Sequence, residues 1–336
     1  MATPSIFDIG LAESTFFELY QSQGYDNLLI ALKVAQDNII AKIEKIKGDT
    51  WTKRQQQTIL KQINIEIGNA YRGLFAEMQT ESVGISEITF NALLGTVSQK
   101  IPLAAVKDLQ NSKRVIQMGS DLTIGDKVVK AKKKNYTFQS LFKLSEKNHA
   151  KQLRTLISVG VTQGLTSKQI VKEFDIKNNQ LSKGQVTSNI FTVIADSRNQ
   201  GNYLAYAELE NTGVVEYYEH SSVLDSHTSI HICVPRDGRK YYQKIKNISS
   251  FNKPPLHGNC RSKLLAKTKN QTIPKTNYPD WFKKQDNQFQ KSVLGAKKYN
   301  AYKNGSFKIT TLADVKGRKM SLKTIKSNLD SYSKGK

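Results

Sequence analysis

Cysteine is scarce in this chain. Two cysteines in 336 residues exclude a scaffold stapled by disulfides. Long apolar runs are missing too. The longest aliphatic stretch, Leu28 to Leu32, has five residues, against the roughly 20 that a membrane-spanning helix needs. No stable membrane insertion is expected. The opening MATPSIFDIG has neither a basic region nor a long apolar stretch, so no signal peptide is expected there, and synthesis in a cytosol is. The sequence has no GxSxG, no Walker A loop and no HExxH, which removes the common nucleophilic, nucleotide-binding and zinc-protease readings. Acidic residues are also short: 28 Asp and Glu face 51 Lys and Arg, a formal charge of +23. That excess points to a polyanionic partner without naming it.

What is present is unevenly arranged. Residues 1–100 carry a net −2, residues 101–200 +10, residues 201–250 −1 and residues 251–336 +16. A neutral first third thus precedes a basic middle, a neutral insert and a strongly basic end. Lys dominates over Arg, and an ammonium is a point charge without the planar fork that reads guanine. The pattern favours contact with a nucleic-acid backbone over sequence reading. Candidate phosphate contacts are Lys130, Lys132, Lys133 and Lys134 in the KAKKK cluster, and Lys263, Lys267 and Lys269 further on. A solvated, merely Lys-rich surface is the alternative.

Hydrophobic residues make up 38% of the chain, enough for packed cores, and the length suits two or three domains. Residues 27–47 show helical spacing through Leu28, Leu32, Ile39, Ile43 and Ile46, with Asp26 or Asn27 as a cap and Gly48 as a stop. A second helix starting near Asp49–Thr50 carries the stripe Ile63, Ile67, Tyr71, Leu74 and Met78, and a third is expected over 86–98. The first two read as an antiparallel hairpin. Residues 99–136 read as an extended basic arm or loop. Helix returns over 145–160, with Leu153 and Ile157 inward and Gly164 as the break. Thr166-x-x-Gln169 fits a capping box for a helix to Phe174. A longer helix follows over 182–211, with Ile190, Val193, Ile194, Leu204 and Ala207 on its buried face and Gly213 at its end. At Val214 the chain turns β-rich: VVEYYEHSSVL and RKYYQKI flank the turn residues Asp237–Gly238. Weak helices are expected near 281–304 and 321–331. The fold class is α+β, predominantly α-helical, with a small β-rich Cys/His unit near 214–265 and a basic helical tail. In linear order the divisions are 1–136, 137–213, 214–265 and 266–336.

Both cysteines and four of the five histidines lie between His220 and Cys260. Candidate metal ligands are His227, His231, Cys233, His257 and Cys260. His257-x-x-Cys260 has zinc-knuckle spacing, and one of His227 or His231 would complete a His₂Cys₂ set suited to tetrahedral Zn2+. A small β-unit with little core gains most from such a tie. A Cys233–Cys260 disulfide and two free buried thiols are the alternatives. A metal-dependent nuclease, or another nucleic-acid-processing enzyme, is the other functional reading. Asp225, His227 and His257-x-Asn259 fit fragments of one-metal nucleases, but the His-Asn-His order of such a site is missing.

The strings EYYEHSSVLDSHTSIHICVPRDGRKYY and PPLHGNCRSKL resemble the phage Mu F-like minor head proteins, the phage head morphogenesis family. The shared pattern is an aromatic strand, Asp-x-x-Thr-Ser-x-x-x-Cys, Asp-Gly, then Pro-Pro-x-His-x-x-Cys-Arg. Here it falls on Asp225, Thr228, Ser229, Cys233, Asp237, Gly238, Pro254, Pro255, His257, Cys260 and Arg261. NQGNYLAYAELENTG, Trp281, LGAKKY (Leu294 to Tyr299), Gly305 and a helix after Ser321 extend the likeness over about residues 140–330. The resemblance implies a structural virion component made in the bacterial host cytoplasm. It would act in head assembly at the portal vertex or head interior, against portal or major capsid protein and packaged double-stranded DNA, and some members leave with the genome. It does not imply catalysis. Some members carry an added toxin domain, which is not expected here because the residues after Cys260 stay family-like. His227 departs from the pattern, which has Arg there. The resemblance therefore singles out Cys233, His257 and Cys260 as ligands, with Asp225 as a fourth and Arg261 bound to a carboxylate such as Asp225 or Asp237.

Overall fold

Long helices carry this chain. In the computed structural model, described here for residues 6–46, 51–94, 115–118, 121–124, 127–130, 134–181, 184, 187–222, 229, 232–269, 278–307 and 321–333, α1 spans Ile6–Glu44 and α2 spans Lys53–Leu94. Four short strands follow: β1 (Val115–Met118), β2 (Asp121–Ile124), β3 (Lys127–Lys130) and β4 (Lys134–Thr137). Then come α3 (Phe138–Thr162), α4 (Ser167–Leu181) and α5 (Thr187–Asn211). The β-unit contains β5 (Val215–Ser221), β6 (Lys240–Tyr241) and β7 (Lys263–Thr268). The chain continues as α6 (Tyr278–Lys284), α7 (Asn287–Lys303) and α8 (Leu322–Ser333). None of the described helices is long and apolar enough to cross a membrane. The α+β, mainly helical class holds.

Several boundaries differ from the expected ones. The first helix begins at Ile6, so Asp26 and Asn27 lie inside it. The second and third expected helices are one continuous helix, α2. The expected arm holds two small ladders, β1 with β4 and β2 with β3, the latter pairing Asp121 with Lys130 through Ile124 with Lys127. Alternation in DLTI and the β-branched pair in KVVK are the local signals for strand there; the surrounding lysines mask them.

Residues sort into two compact units, and neither is continuous in sequence: 1–24, 81–135 and 191–336 in one, 25–80 and 136–190 in the other. This differs from a linear division into four consecutive segments.

The second unit is a helical bundle. Leu32, Ala35, Ile39 and Ile43 of α1, Ile59, Ile63, Ile67, Tyr71, Leu74 and Met78 of α2, Leu153 and Ile157 of α3, and Ile170 and Phe174 of α4 are buried. Its helix starts are capped as side-chain chemistry dictates. Thr52 and Gln55 exchange hydrogen bonds at the start of α2, and Thr166 and Gln169 do so before α4. Through this apolar core runs a line of polar groups. Asn178 Nδ2 donates to Gln36 Oε1 at 2.8 Å, so Asn178 Oδ1 accepts from His149 Nε2–H at 2.8 Å. His149 Nδ1 is then the acceptor for the Tyr71 hydroxyl at 3.2 Å. Gln36 also donates to Asp175. One neutral imidazole thus ties α2, α3 and, through Asn178, α4 and α1.

The first unit packs the N-terminal part of α1, the C-terminal part of α2, α5, the sheet and α6–α8. Gly201 of α5 lies so near α2 that an added Cβ would stand 2.4 Å from the Ser86 carbonyl oxygen. Ser86 Oγ donates to Ser197 O across that approach at 2.7 Å. The sheet has the order β6-β5-β7, antiparallel on both sides of β5. The basic C-terminal segment is packed here. Phe289 of α7 touches Phe16 of α1, Trp281 of α6 and Tyr332 of α8, at centroid distances of 5.5, 5.6 and 4.8 Å. Trp281 Nε1 donates to Asp8 of α1 at 2.9 Å. Deep in the same unit, Arg198 Nε lies 3.5 Å from Glu13 Oε1, with both side chains at most 1% exposed. Burial pushes the Glu13 carboxyl up, against the pull of Arg198 and Lys263.

Two outcomes follow. Burial lowers the pKa of His149 from 6.5 to about 4, against the Asn178 hydrogen bond. As pH falls, the unfolded chain takes up this proton first. The His149 contribution is therefore complete above about pH 6.5 and lost as pH falls towards 4, about 3 kcal/mol in all. Urea midpoints measured between pH 7 and 4 should fall more steeply for the native chain than for His149→Leu. Separately, Arg198→Met strips the buried Glu13 of its ion-pair partner and should cost about 3 kcal/mol. The double variant Glu13→Gln/Arg198→Met should lose less in the same denaturation measurement.

Candidate metal centre

The centre is assembled from two loops of the β-unit. The first lies between β5 and β6. Ser229 accepts from the Ile232 and Cys233 amides, through its hydroxyl at 3.2 Å and its carbonyl at 2.9 Å. This winds Cys233 into the start of a short 3₁₀ turn, Val234–Arg236. Gly238, at φ +73°, then turns the chain back, a conformation that favours glycine. Its amide donates to the His220 carbonyl at 2.8 Å. Asp237 Oδ1 accepts from the Ser222 amide at 2.7 Å, pinning the other end of the loop.

The second loop is PPLHGNC, entered through a cis Pro254–Pro255 bond. The Cys260 amide donates to the His257 carbonyl at 3.3 Å, closing a four-residue turn. Asn259 sits at its third position with φ +59°, and asparagine tolerates that region better than most residues. The turn sets His257 and Cys260 on one side. Helix α5 holds it: the Asn259 amide donates to Thr192 Oγ1 at 2.8 Å, and Tyr203 donates to the Pro254 carbonyl at 3.0 Å. Immediately downstream, Arg198 donates to the Arg261 carbonyl and Asn199 to the Ser262 carbonyl, each at 3.3 Å. Tyr206 donates to the Leu264 carbonyl at 3.0 Å.

These supports bring Cys233, His257 and Cys260 together. Their ligating atoms lie within 4.8 Å of one another. The two Sγ atoms are 3.9 Å apart, close to the tetrahedral edge of about 3.8 Å that two 2.3 Å metal–sulfur bonds subtend. A disulfide needs about 2.0 Å, and both thiols are free. Cys233 Sγ lies 2.9 Å from His257 Nε2, so an ion would open that contact slightly. His257 Nδ1–H donates to the Gly258 carbonyl at 2.7 Å. That bond sets the tautomer and leaves Nε2 facing the sulfurs, the usual outer support of a metal-binding histidine.

The electrostatics suit a cation. Burial opposes a charged Cys260, but hydrogen bonds from Cys233 and His257 and the His257 charge outweigh it and hold its pKa well below the ordinary thiol value. His257 is raised: burial works against its charge, and the Cys260 hydrogen bond and thiolate prevail. Cys233 is raised by its hydrogen bond to Cys260 and by burial. Without an ion the three groups share protons. An entering cation would displace the His257 and Cys233 protons. Cys233, His257 and Cys260 can hold a metal ion.

No family model, curated protein or solved structure matches the chain.

The other sequence-derived candidates fall in varied places. Asp225, His227, Thr228 and His231 lie outside the described residues, so the described ligand set is a trio. Ser229, Asp237, Gly238, Pro254 and Pro255 shape the two loops. Lys263, expected to contact nucleic acid, is corrected. It is 2% exposed and its ammonium donates to the Gly10 carbonyl, so it serves the core. Lys267 is half-buried beside Glu216 at 3.4 Å, and Lys269 is exposed. Lys130 ends β3 and Lys134 begins β4, while Lys132 and Lys133 lie outside the described residues. The polar face of α5 was not foreseen. Asn199, Asn202 and Arg198 recur beside its apolar stripe, and polar residues at buried spacing were its only signal.

Cobalt provides the check. Added to the full chain, Co2+ should give thiolate-to-metal absorption in the near ultraviolet. Cys260→Ser should weaken it at least about tenfold, since one of few ligands is lost. Equal spectra for the variant and the native chain would remove the trio as ligands.

Proposed function

We propose that this chain is a structural minor head protein of a tailed bacteriophage. It would act in head assembly at the portal vertex or head interior and touch packaged double-stranded DNA through its backbone. One observation carries the reading. The residues of the Mu F-like resemblance, Cys233, His257, Cys260 and the Asp237–Gly238 and Pro254–Pro255 turns, form a single built centre supported by α5. Their convergence on one centre supports reading them as one motif. Two free thiols and an imidazole are soft and borderline donors, so the ion we propose is Zn2+ in a structural role, tying two loops that have a four-residue core of their own, Ile232, Cys233, Leu256 and Cys260. The charge distribution supports the DNA contact, with +10 over residues 101–200 and +16 over residues 251–336. The near-neutral first hundred residues suit docking on portal or major capsid protein.

A metal-dependent nuclease is the second reading: Cys233, His257 and Cys260 can hold a metal ion, and a hydrolytic site needs such ligands with a position open to water. Three measurements separate the two. Protein quantification should find the chain in full particles, and its amount in ejected particles would show whether it leaves with the genome. Duplex DNA affinity should fall at least about a hundredfold between 50 and 200 mM salt, because Lys contacts release counterions. DNA should stay intact with zinc present. Absence from all particles would sink the virion reading. Cleavage lost in a folded His257→Ala variant would make the nuclease correct.

A further inference from the structure

Residues 201–250 carry almost no net charge in sequence, and the basic segments lie on either side. The fold sorts those charges. Tyr217 of β5 lies between the two flanking strands. Lys240 Nζ of β6 stands 4.7 Å from its ring centroid, and Lys267 Nζ of β7 stands 5.0 Å away. Tyr242, the first residue beyond β6, has its ring centroid 5.4 Å from that of Tyr217 at an interplanar angle of 52°. Tyr217 is 6% exposed, whereas Tyr242 is 72% exposed. β6 is an edge strand of the sheet.

Lys240 and Lys267 flank this aromatic pair, and the adjoining segment is basic. Arg239, Lys240, Lys244 and Lys246 are all exposed, and no acidic residue occurs from Gly238 to Ser250. The nearby carboxylates each have a partner, and two of those partners belong to the cluster itself. Glu216 pairs with Lys267 at 3.4 Å, Glu219 sits opposite Lys240 in the ladder, and Asp237 accepts from the Ser222 amide. An aromatic ring this exposed contributes little to a core. Open tyrosine faces among flexible ammonium groups are what an unpaired strand needs: a ring to stack on and charges for its phosphates. A duplex hides its base faces and would use the charges alone.

We propose that Tyr242, backed by the Tyr217 ring that Lys240 and Lys267 flank, is a platform for unpaired nucleic acid. A base stacks on Tyr242 while Lys240 and Lys244 meet the phosphates. The ligand class rests on the nucleic-acid contact proposed above. The platform adds where the contact lies and that it takes single strands. Lysine supplies most of the charge, so binding depends on stacking and backbone and is tolerant of sequence.

Fluorescence anisotropy on the full chain tests this, with a labelled oligothymidylate of about 16 nucleotides and a duplex of equal length. Tyr242→Ala should weaken oligothymidylate binding about tenfold, and Tyr242→Phe, which keeps the ring, should stay within about twofold. Duplex binding should change by less than about twofold in both variants, whereas Lys240→Gln should weaken both ligands and lower the salt slope by about one. Unchanged oligothymidylate binding in Tyr242→Ala, with the native chain still holding duplex, overturns the platform alone and leaves Tyr242 a cover for Tyr217. A native chain that binds neither ligand overturns the platform and the DNA contact together.

Discussion

Helix α5 acts as a rail for an extended stretch of chain, and most of the functional architecture depends on it. Five of its side chains, Thr192, Arg198, Asn199, Tyr203 and Tyr206, bond to the backbone of residues 254–264. Backbone amides and carbonyls in a buried loop must find partners, because each left unpaired costs as much as a lost hydrogen bond or more. Within PPLHGNCRSKL the turn bond from the Cys260 amide to the His257 carbonyl leaves other backbone groups to find partners outside the stretch. Side chains of α5 meet that need, and the same contacts deliver Lys263–Thr268 to the sheet as β7.

The rail also explains an otherwise costly core. Arg198 donates to the Arg261 carbonyl and lies against Glu13, almost without exposure. Lys263 is buried beside them and donates to Gly10. Buried charges of this kind rarely add net stability over an apolar core. Here they tie α1, α5 and the entry to β7 in one arrangement. The candidate metal centre inherits its rigidity from that arrangement, since Cys260 immediately precedes the bonded stretch 261–264. Cys233 arrives separately, on a loop held by Ser222, Ser229 and Asp237.

Legibility in the sequence followed the range of the interactions. The stripe Ile63, Ile67, Tyr71, Leu74 and Met78 and the box Thr166–Gln169 are local patterns, and both are found where periodicity and capping predict them. Motif spacing made the local turn His257-x-x-Cys260 legible, while Cys233 was singled out to join it by the family resemblance. Lys263 was misread because charge in sequence says nothing of burial; the Gly10 carbonyl and the Glu13 carboxylate nearby help make a buried ammonium tolerable. His149 drew no notice, being far from the Cys/His cluster. Its role exists only where Tyr71 and Asn178 reach it from other helices. The described helices of the basic tail are likewise packed, because Trp281 finds Asp8 and Phe289 finds Phe16 some 270 residues earlier, with Tyr332 against Phe289.

By itself the sequence determined the helical character of the chain, the switch to strand after Gly213, the turn at Asp237–Gly238 and the clustering of Cys and His between His220 and Cys260. Each rests on interactions within a few residues, or on side-chain chemistry that does not depend on position. Tertiary structure alone decided that the chain sorts into two discontinuous units. It also decided that polar residues of α5 face inward, that one lysine is core while others are surface, and that Tyr217 and Tyr242 share a face with Lys240 and Lys267. Those outcomes depend on which distant groups satisfy a buried donor or charge, and such pairings are made in space.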